Sequence, residues 1–319
     1  MAEPKIATMG HRFADATVER DALRGHGVDI VYLGGLDKES ALAAAADAEA
    51  VLLGVSFSLD ADAIARLPAC RVIVRYGIGL DNVDIGAAER NGIIVRNVPD
   101  YGVEEVANHA LALLLAMARR LDVLGRRARS GHWAGAIAGL QLKRLSNSTL
   151  VVVGAGRIGS ALVARAVPIW GEVVVVDPHL TSYDDLPTGV SLVGDLDEAL
   201  TRADFVSIHV PATSGTLGLI SAQRFDAMKP GVVLVNCSRG DVLDEDALAA
   251  ALARGHVAAA GLDVFVGEPE PRPDLLESDN VWPTPHAAWF STSSLIDLRR
   301  KAALAAVESL TARSEELHD

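Results

Sequence analysis

The chain has 319 residues, half of them hydrophobic, and its 29 basic and 42 acidic residues give a formal charge of -13. That length suffices for two ordinary domains, and the acidic balance disfavours non-specific binding to nucleic acid or to anionic membranes. The apolar runs are too short or too interrupted to span a membrane, and the N-terminus lacks the regions of a secretory signal. Neither Cys70 nor Cys237 belongs to a metal-binding pattern, so we expect a cytoplasmic protein without a metal site.

Short apolar segments alternate with amphipathic helical patterns over the first hundred residues. This alternation favours an α/β domain with a buried parallel sheet. The predicted strands are residues 5–8, 29–33, 50–53, 72–75 and 93–96, and the predicted helices are residues 40–47, 61–67 and 85–91.

A long helix is predicted over about residues 103–127, because leucines and alanines recur on one face at helical spacing. A polar, glycine-interrupted segment over residues 125–148 then leads into a second alternating unit. Its predicted strands are residues 150–153, 173–176, 205–208, 232–236, 258–262 and 281–282, and a last helix is predicted over about residues 292–310.

A glycine fingerprint, Gly154-Ala155-Gly156-Arg157-Ile158-Gly159, connects a β-branched strand to the start of a helix. In that context the glycines permit a tight turn and bring a pyrophosphate close to backbone N–H groups at the helix N-terminus. Asp177 ends the next strand, where a carboxylate can accept hydrogen bonds from ribose hydroxyls and repels a 2′-phosphate. The pattern therefore predicts dinucleotide binding, with NAD favoured over NADP.

Arg239, Glu268 and His286 are the candidate catalytic residues. Arg239 follows an apolar strand and precedes a glycine, and a guanidinium there can hold a carboxylate and polarise a carbonyl. A carboxylate beside His286 would fix its tautomer and favour the imidazolium, so the pair could exchange a proton with a carbonyl or hydroxyl oxygen. Alone, each would usually be a surface charge or a structural histidine; together they indicate hydride transfer involving a 2-oxo or 2-hydroxy acid.

Ordered motifs along essentially the whole chain resemble the D-isomer-specific 2-hydroxyacid dehydrogenases. They are residues 77–84, the glycine fingerprint, and residues 236–246, 261–269 and 284–286. Residues 75–79, 103–107 and 286–290 are closest to the C-terminal-binding-protein branch, many bacterial members of which are labelled phosphoglycerate-dehydrogenase-like.

The resemblance implies roles for individual residues. His286 would be the acid/base, Glu268 its partner, and Arg239 would bind the substrate and polarise its keto group. The residues implied to surround the nicotinamide ring are Cys237, Ser238, Arg239, Asp263 and His286. The residues implied to line the adenosine side of the cofactor are His209, Val210 and Pro211. The residues implied to bind the substrate are Arg75, Tyr76, Gly77 and Ile78. The loop formed by the last three would do so through its backbone N–H groups, and Trp289 would form a wall of the substrate pocket.

The resemblance also implies the architecture. A flavodoxin-like substrate domain would comprise residues 1–99 and 288–319, and a Rossmann NAD-binding domain residues 100–287. Both would be doubly wound parallel-sheet domains, with the active site in the cleft between them. The long helix and the loop after it would form a homodimer interface.

The leading hypothesis is an NAD-dependent D-2-hydroxyacid dehydrogenase that works mostly as a 2-oxoacid reductase. One alternative is a dinucleotide-sensing interaction protein of the C-terminal-binding-protein type. Another is a dehydrogenase of an inorganic or one-carbon anion such as phosphite or formate. Departures such as Asn108, which stands where the family pattern has an acidic residue, weaken assignment to a subfamily with a known substrate.

Overall fold

The computed structural model describes residues 3–180 and 186–316, in which strands and helices alternate. The strands are β1 (Lys5–Met9), β2 (Asp29–Tyr32), β3 (Ala50–Leu53), β4 (Val72–Arg75), β5 (Ile94–Arg96), β6 (Thr149–Val153), β7 (Glu172–Val176), β8 (Val190–Leu192), β9 (Phe205–Ile208), β10 (Val232–Asn236), β11 (Val257–Leu262) and β12 (Val281–Pro283). The helices are α1 (Thr17–Ala22), α2 (Lys38–Ala44), α3 (Ala61–Ala65), α4 (Ile85–Arg90), α5 (Val103–Ala118), α6 (Leu121–Arg129), α7 (Arg157–Ala166), α8 (Leu196–Arg202), α9 (Ala222–Ala227), α10 (Glu245–Ala253), α11 (Pro273–Leu276) and α12 (Thr292–Glu316).

The chain divides into two compact units. Unit 1 comprises the residues up to Gly102 together with those from Ser291 onward, and unit 2 comprises Val103–Phe290. The domain limits expected from the sequence, after residue 99 and before residue 288, stay a prediction.

Unit 1 is built on a five-stranded parallel sheet with the order β2-β1-β3-β4-β5. All four residues of β3 are buried, as continuous apolar strands at the centre of a parallel sheet should be. The strand order reverses between β1 and β3, which makes the loops after those two strands the switch point, where open α/β sheets bind ligands.

Unit 2 is built on a seven-stranded parallel sheet with the order β12-β11-β10-β9-β6-β7-β8. Apolar clusters cover both faces of this sheet. Helices α5 and α7 contribute residues to the same cluster. The order reverses between β6 and β9, so the loops after those strands form the switch point of this unit. The two parallel sheets confirm the predicted α/β fold class.

The predicted helix over residues 103–127 is wrong in one respect, because it is two helices, α5 and α6. The chain turns at Arg120, whose φ of 47° is left-handed. The Arg120 guanidinium donates to the carbonyl oxygen of Ala258 at 3.2 Å and to Oδ1 of Asn280 at 2.9 Å. These partners are distant in sequence, so apolar periodicity could not reveal the break.

Other differences are smaller. Helix α2 begins before the predicted residue 40, because the Asp37 carboxylate caps it by accepting a 3.0 Å hydrogen bond from the backbone N–H of Ser40. Several short elements have no counterpart among those predicted from the sequence: α1, β8, α8, α9, α10 and α11. None of the described helices is both long enough and apolar enough to cross a membrane.

Candidate active site

His286 and Glu268 form a hydrogen-bonded pair in unit 2. Nδ1 of His286 lies 2.7 Å from Oε2 of Glu268, while Oε1 of Glu268 accepts a 2.8 Å hydrogen bond from the N–H of Phe265. The His286 side chain is 44% exposed, so its ring can reach a bound molecule. Because the carboxylate occupies Nδ1, Nε2 is the nitrogen left to exchange a proton.

The environment of Glu268 favours its ionised form. Burial raises the pKa of this carboxyl, but hydrogen bonds from His286 and Phe265 outweigh burial and hold the pKa below its ordinary value of 4.5. The positive charge of Arg239 acts in the same direction. Glu268 is therefore an anion at neutral pH and can stabilise an imidazolium on His286.

Arg239 lies in the loop after β10, directly against the loop that carries Glu268. A side-chain carbon at Gly240 would lie 2.1 Å from the carbonyl carbon of Phe265, so only glycine permits this packing. Asn236, which the sequence analysis did not single out, holds the loop: its Nδ2 donates to the carbonyl oxygen of Arg239 at 2.8 Å, and its Oδ1 accepts from Ser238. The sequence signal that could have identified Asn236 was an asparagine at a strand end, two residues before Ser-Arg-Gly.

Asp263 organises the turn that carries His286. Its carboxylate is only 1% exposed and accepts hydrogen bonds from the hydroxyl of Thr284 at 2.6 Å and from the N–H groups of Ala287 and Ala288, each at 2.9 Å. The backbone oxygen of Asp263 accepts from the N–H of His286 at 2.9 Å. These contacts hold His286 at a φ of 53°, a left-handed conformation that is unfavourable for a residue with a side chain.

His109, on α5, also contacts this turn and was missed by the sequence analysis. Its Nε2 lies 3.0 Å from Oγ1 of Thr284. The Thr284 hydroxyl gives its only hydrogen to Asp263, so it can only accept from His109, and Nε2 of His109 carries a proton. A histidine on an amphipathic helix has no sequence signal that separates this contact from a surface position.

The glycine fingerprint fits a dinucleotide. Helix α7 begins at Arg157, and a side-chain carbon at Gly159 would lie 2.0 Å from the carbonyl oxygen of Gly154, so only glycine permits the close packing of the helix on the turn. Asp177 lies at the end of β7, and its carboxylate accepts hydrogen bonds from the N–H of Ala155 at 2.8 Å and from that of His179 at 2.9 Å. The carboxylate of Asp177, which is predicted to accept hydrogen bonds from the ribose, is therefore hydrogen-bonded to the glycine turn.

The remaining predicted cofactor residues of unit 2 lie in loops on the same edge of the sheet. His209, Val210 and Pro211 follow β9, on the other side of the switch point from the fingerprint. Burial lowers the pKa of His209 to about 4, so its ring is neutral at physiological pH, and its Nε2 lies 2.8 Å from the hydroxyl of Ser207. Burial and the charge of Asp263 raise the pKa of the Cys237 thiol.

The predicted substrate residues Arg75, Tyr76, Gly77 and Ile78 lie at the carboxyl end of β4 in unit 1. Two of the N–H groups expected to meet a carboxylate are already used: that of Tyr76 donates to Leu53 at 2.8 Å and that of Gly77 to Arg75 at 2.9 Å. Within the described part of the chain the N–H of Ile78 has no acceptor, and it is the one left for a ligand. Arg75 donates from Nη1 to the carbonyl oxygen of Tyr76 at 2.9 Å.

A buried ion pair lies beneath this loop. The Tyr76 hydroxyl donates to Oε1 of Glu19 at 2.8 Å, and Arg299 donates to both oxygens of Glu19 at 2.9 and 2.6 Å. Burial and the negative charge of Glu19 raise the pKa of Tyr76, so its hydroxyl remains a donor. The side chain of Tyr76 thus supports the loop and faces away from solvent. Glu19 and Arg299 lie at opposite ends of the chain, and neither was among the predicted site residues.

Trp289 lies in unit 2, shortly after His286, and its half-buried ring packs edge-to-face on Phe290 at 5.5 Å. Its place as a wall of the substrate pocket stays a prediction. Among the described side chains, no group of three or more His, Cys, Asp or Glu is arranged to hold a metal ion.

Comparison with known proteins gives concordant matches. A model of the family described as D-isomer specific 2-hydroxyacid dehydrogenase, NAD binding domain, matches residues 111–288. The chain is 38% identical over 282 residues to the D-3-phosphoglycerate dehydrogenase of Mycobacterium bovis, which covers 88% of this chain but 52% of that protein, so it spans about half of that relative's length. It is 38% identical over 245 residues to the glyoxylate reductase of Korarchaeum cryptofilum, covering 76% and 74% of the two chains.

Solved structures match over almost the whole chain. The TT0316 protein from Thermus thermophilus superposes with a TM-score of 0.83 at 32% identity, covering 97% of each chain. A D-lactate dehydrogenase from Aquifex aeolicus, complexed with NAD and lactic acid, has a TM-score of 0.83 at 27% identity and covers 98% of this chain and 96% of its own. The family match confirms the predicted NAD-binding domain.

Proposed function

Because the chain belongs to the D-isomer specific 2-hydroxyacid dehydrogenase family, we propose that it is an NAD-dependent D-2-hydroxyacid dehydrogenase that works as a 2-oxoacid reductase. The observation that carries the proposal is the 2.7 Å pair of His286 and Glu268. Together with the Arg239 loop that packs against the Glu268 loop, this pair supplies the proton donor and the cation that carbonyl reduction needs.

The chemistry follows from the positions of the charges. The fingerprint turn would hold NADH, which would supply a hydride for the carbonyl carbon, and negative charge would then develop on the carbonyl oxygen. Nε2 of His286 donates a proton to that oxygen, while the Arg239 guanidinium stabilises the developing charge. Glu268, ionised at neutral pH, keeps the imidazolium oriented through Nδ1. In the opposite direction the neutral imidazole accepts the proton of the hydroxyl.

The residues of the NAD-binding domain explain the cofactor preference that we propose. The fingerprint turn and the N-terminus of α7 would receive the pyrophosphate. Asp177 would accept hydrogen bonds from the ribose hydroxyls, and its carboxylate would repel the 2′-phosphate of NADP. Of the residues that would surround the nicotinamide, Asp263 also holds the His286 turn, so cofactor and proton donor would share one support.

We also propose that the protein acts as a cytoplasmic homodimer. Trp133 and Ile137, in the loop after α6, have large, exposed apolar side chains. Leu121, at the start of that helix, has one too. Exposed apolar residues grouped on one segment favour burial against a second copy. Replacing Trp133 with Ser should increase the dissociation of the dimer on dilution, which sedimentation measures, whereas an unchanged sedimentation profile would argue against this interface.

The test is NADH oxidation with a panel of 2-oxoacids, with phosphite and formate plus NAD as additional assays for the anion-dehydrogenase alternative. His286→Ala should lower kcat by about 10²–10⁴-fold and leave NADH affinity nearly unchanged. His26→Ala, which removes an exposed histidine of unit 1, is the matched control and should retain wild-type turnover. Near-wild-type turnover in His286→Ala would exclude this mechanism, and NADH binding without turnover of any substrate would favour the dinucleotide-sensing alternative.

A further inference from the structure

Glu245, in the first turn of α10, is a buried carboxylate that the proposed mechanism does not use. Its side chain is buried, with the residue 8% exposed, and its Oε1 accepts a 2.8 Å hydrogen bond from the backbone N–H of Val266. The cap of α10 is made by a different residue, because the carboxylate of Asp244 accepts from the N–H of Ala247 at 2.9 Å. Glu245 therefore contacts the loop that carries Glu268 while its neighbour caps the helix.

This contact lies next to the catalytic pair. The N–H groups of Phe265 and Val266 follow each other in the chain, and each donates to a different carboxylate. The N–H of Phe265 donates to Oε1 of Glu268, whose Oε2 lies 2.7 Å from Nδ1 of His286. The N–H of Val266 donates to Glu245. Two consecutive peptide groups thus connect Glu245 to the carboxylate that orients the proton donor.

The chain reaches the protein surface at this point, so the loop needs a fixed backbone contact. Phe265 is buried, whereas residues 266–270 are exposed and the side chain of Val266 is 40% exposed. Apolar side-chain packing holds the loop as far as Phe265. The hydrogen bond to Glu245 holds the next residue, from which the exposed turn to Glu268 begins.

A carboxylate at this position has a cost in stability. Burial, together with the negative charges of Asp241 and Asp274, raises the pKa of Glu245 above its ordinary value of 4.5, against the opposing effects of the Val266 hydrogen bond and of Arg272. Because the folded-state pKa is raised, the ionised form weakens the fold at neutral pH, and this effect vanishes as pH falls below the unfolded-state value. Stability therefore does not explain the carboxylate, whereas the loop that it holds does.

We propose that Glu245 is a positioning residue for the catalytic pair, and that by holding the N–H of Val266 it keeps Glu268 aligned with Nδ1 of His286. This inference rests on the proposed function, since it concerns the proton donor of that same reaction. When the loop loosens, Glu268 occupies Nδ1 for less of the time, and the imidazolium loses part of the stabilisation that its anionic partner provides. Glu245 acts through the loop backbone, so it is not itself a catalytic residue.

The experiment measures kcat against pH for the reduction of a 2-oxoacid by NADH. Glu245→Ala removes the acceptor, so kcat should fall about tenfold, more than KM changes, and the alkaline limb should move to lower pH. Glu245→Met fills the space without an acceptor oxygen and should behave in the same way. Glu245→Gln keeps an acceptor oxygen and should restore most of kcat and the wild-type limb.

Asp246→Ala is the matched control. Asp246 is an acid in the same turn of α10, but its side chain is 90% exposed and pairs with Arg272. Its removal should change neither kcat nor the alkaline limb. Urea denaturation and NADH titration show that each variant is folded and binds the cofactor.

A double variant tests whether Glu245 acts through Glu268. In that case the alkaline limb of Glu245→Ala/Glu268→Gln coincides with the limb of Glu268→Gln alone. A further shift in the double variant overturns the inference, as does an equal shift in Glu245→Ala and Glu245→Gln, which would mean that Glu245 acts by its charge. Variants without the acceptor that lose stability but keep the wild-type kcat and limb also overturn it.

Failure of the proposed function gives a different result. In that case the wild-type protein binds NADH and reduces none of the 2-oxoacids in the panel, and the inference falls with the proposed function. An active wild-type reductase whose turnover does not respond to Glu245→Ala or Glu245→Met overturns the inference alone.

Discussion

Asp263 in unit 2 and Glu19 in unit 1 are both carboxylates with 1% exposure that support a functional loop, but they do so with different partners. Asp263 accepts hydrogen bonds from one hydroxyl and two backbone N–H groups that are 21 to 25 residues away in the chain. Glu19 binds the guanidinium of Arg299, which is 280 residues away, and the hydroxyl of Tyr76.

This difference separates two ways of building a rigid loop. Neutral donors satisfy a buried carboxylate without introducing a second charge, and they transmit its position directly to the backbone of the turn. A buried ion pair holds distant elements together, but each member depends on the other, since an unpaired buried charge is very unfavourable. Substitutions in the two units test whether Asp263 mainly serves catalysis and Glu19 mainly serves stability.

The largest expected effect is on stability in unit 1. Glu19→Ala leaves the Arg299 guanidinium buried without its main partner and should lower the free energy of unfolding by about 3–5 kcal/mol, measured by urea denaturation. Glu39→Ala removes an exposed partner of Arg66 and should cost less than about 1 kcal/mol. Equal losses in the two variants would show that the buried pair has no special role.

Removing the charge of Asp263 should mainly affect catalysis. Asp263→Asn replaces one acceptor oxygen with an amide that faces N–H or O–H donors, so the turn shifts and kcat should fall by up to about 10²-fold. Steady-state kinetics and NADH titration measure the effect. Asp204→Asn changes another buried carboxylate of unit 2, which binds Lys143 and Lys229, and should lower stability with little change in kcat. Unchanged kcat in Asp263→Asn would contradict the assignment.

Glu268→Gln tests the pH dependence of the catalytic pair. The folded-state pKa of Glu268 lies below its ordinary value of 4.5, so its ionised form stabilises the fold above that value, and the contribution is lost as pH falls through the folded pKa. The stability difference between wild type and variant should therefore be present at neutral pH and vanish in acid.

Glu268→Gln should also move the alkaline limb of the reduction profile to lower pH, because the imidazolium of His286 loses its anionic partner. The measurement is kcat against pH with NADH and a 2-oxoacid. Glu270→Gln, at an exposed neighbouring position, should keep both the wild-type profile and the wild-type stability. An unshifted limb in Glu268→Gln would mean that this carboxylate does not act on the proton donor.

The smallest expected effect is that of Tyr76→Phe, which removes one of the hydrogen bonds to Glu19 and leaves the ion pair in place. The free energy of unfolding should fall by about 0.5–1.5 kcal/mol, and KM for the 2-oxoacid should rise while the Kd of NADH stays constant. Tyr32→Phe removes the 2.6 Å hydrogen bond from Tyr32 to the carbonyl oxygen of Phe13 and should change stability without changing KM. The same KM in both variants would remove Tyr76 from substrate positioning.

The sequence by itself determined the features that depend on local order along the chain. Continuous apolar strands alternating with helices specified two parallel sheets, because buried parallel strands leave that pattern in any sequence. The glycine turn with Asp177 predicted the NAD-binding domain for a similar reason, since only glycine tolerates the close backbone approaches of that turn. Arg239, Glu268 and His286 could be selected because each follows or precedes a residue that shapes its loop.

Only the tertiary structure decided which distant groups meet. At the break between α5 and α6 the guanidinium of Arg120 bonds to Ala258 and Asn280, and the proton on Nε2 of His109 follows from its contact with Thr284. The pairing of Glu19 with Arg299 and the prior use of the Tyr76 and Gly77 N–H groups likewise arise from contacts made after the sheets have formed. Propensity and periodicity describe a residue's neighbours along the chain, whereas hydrogen-bond partners between loops are set by the packing that brings strand ends together.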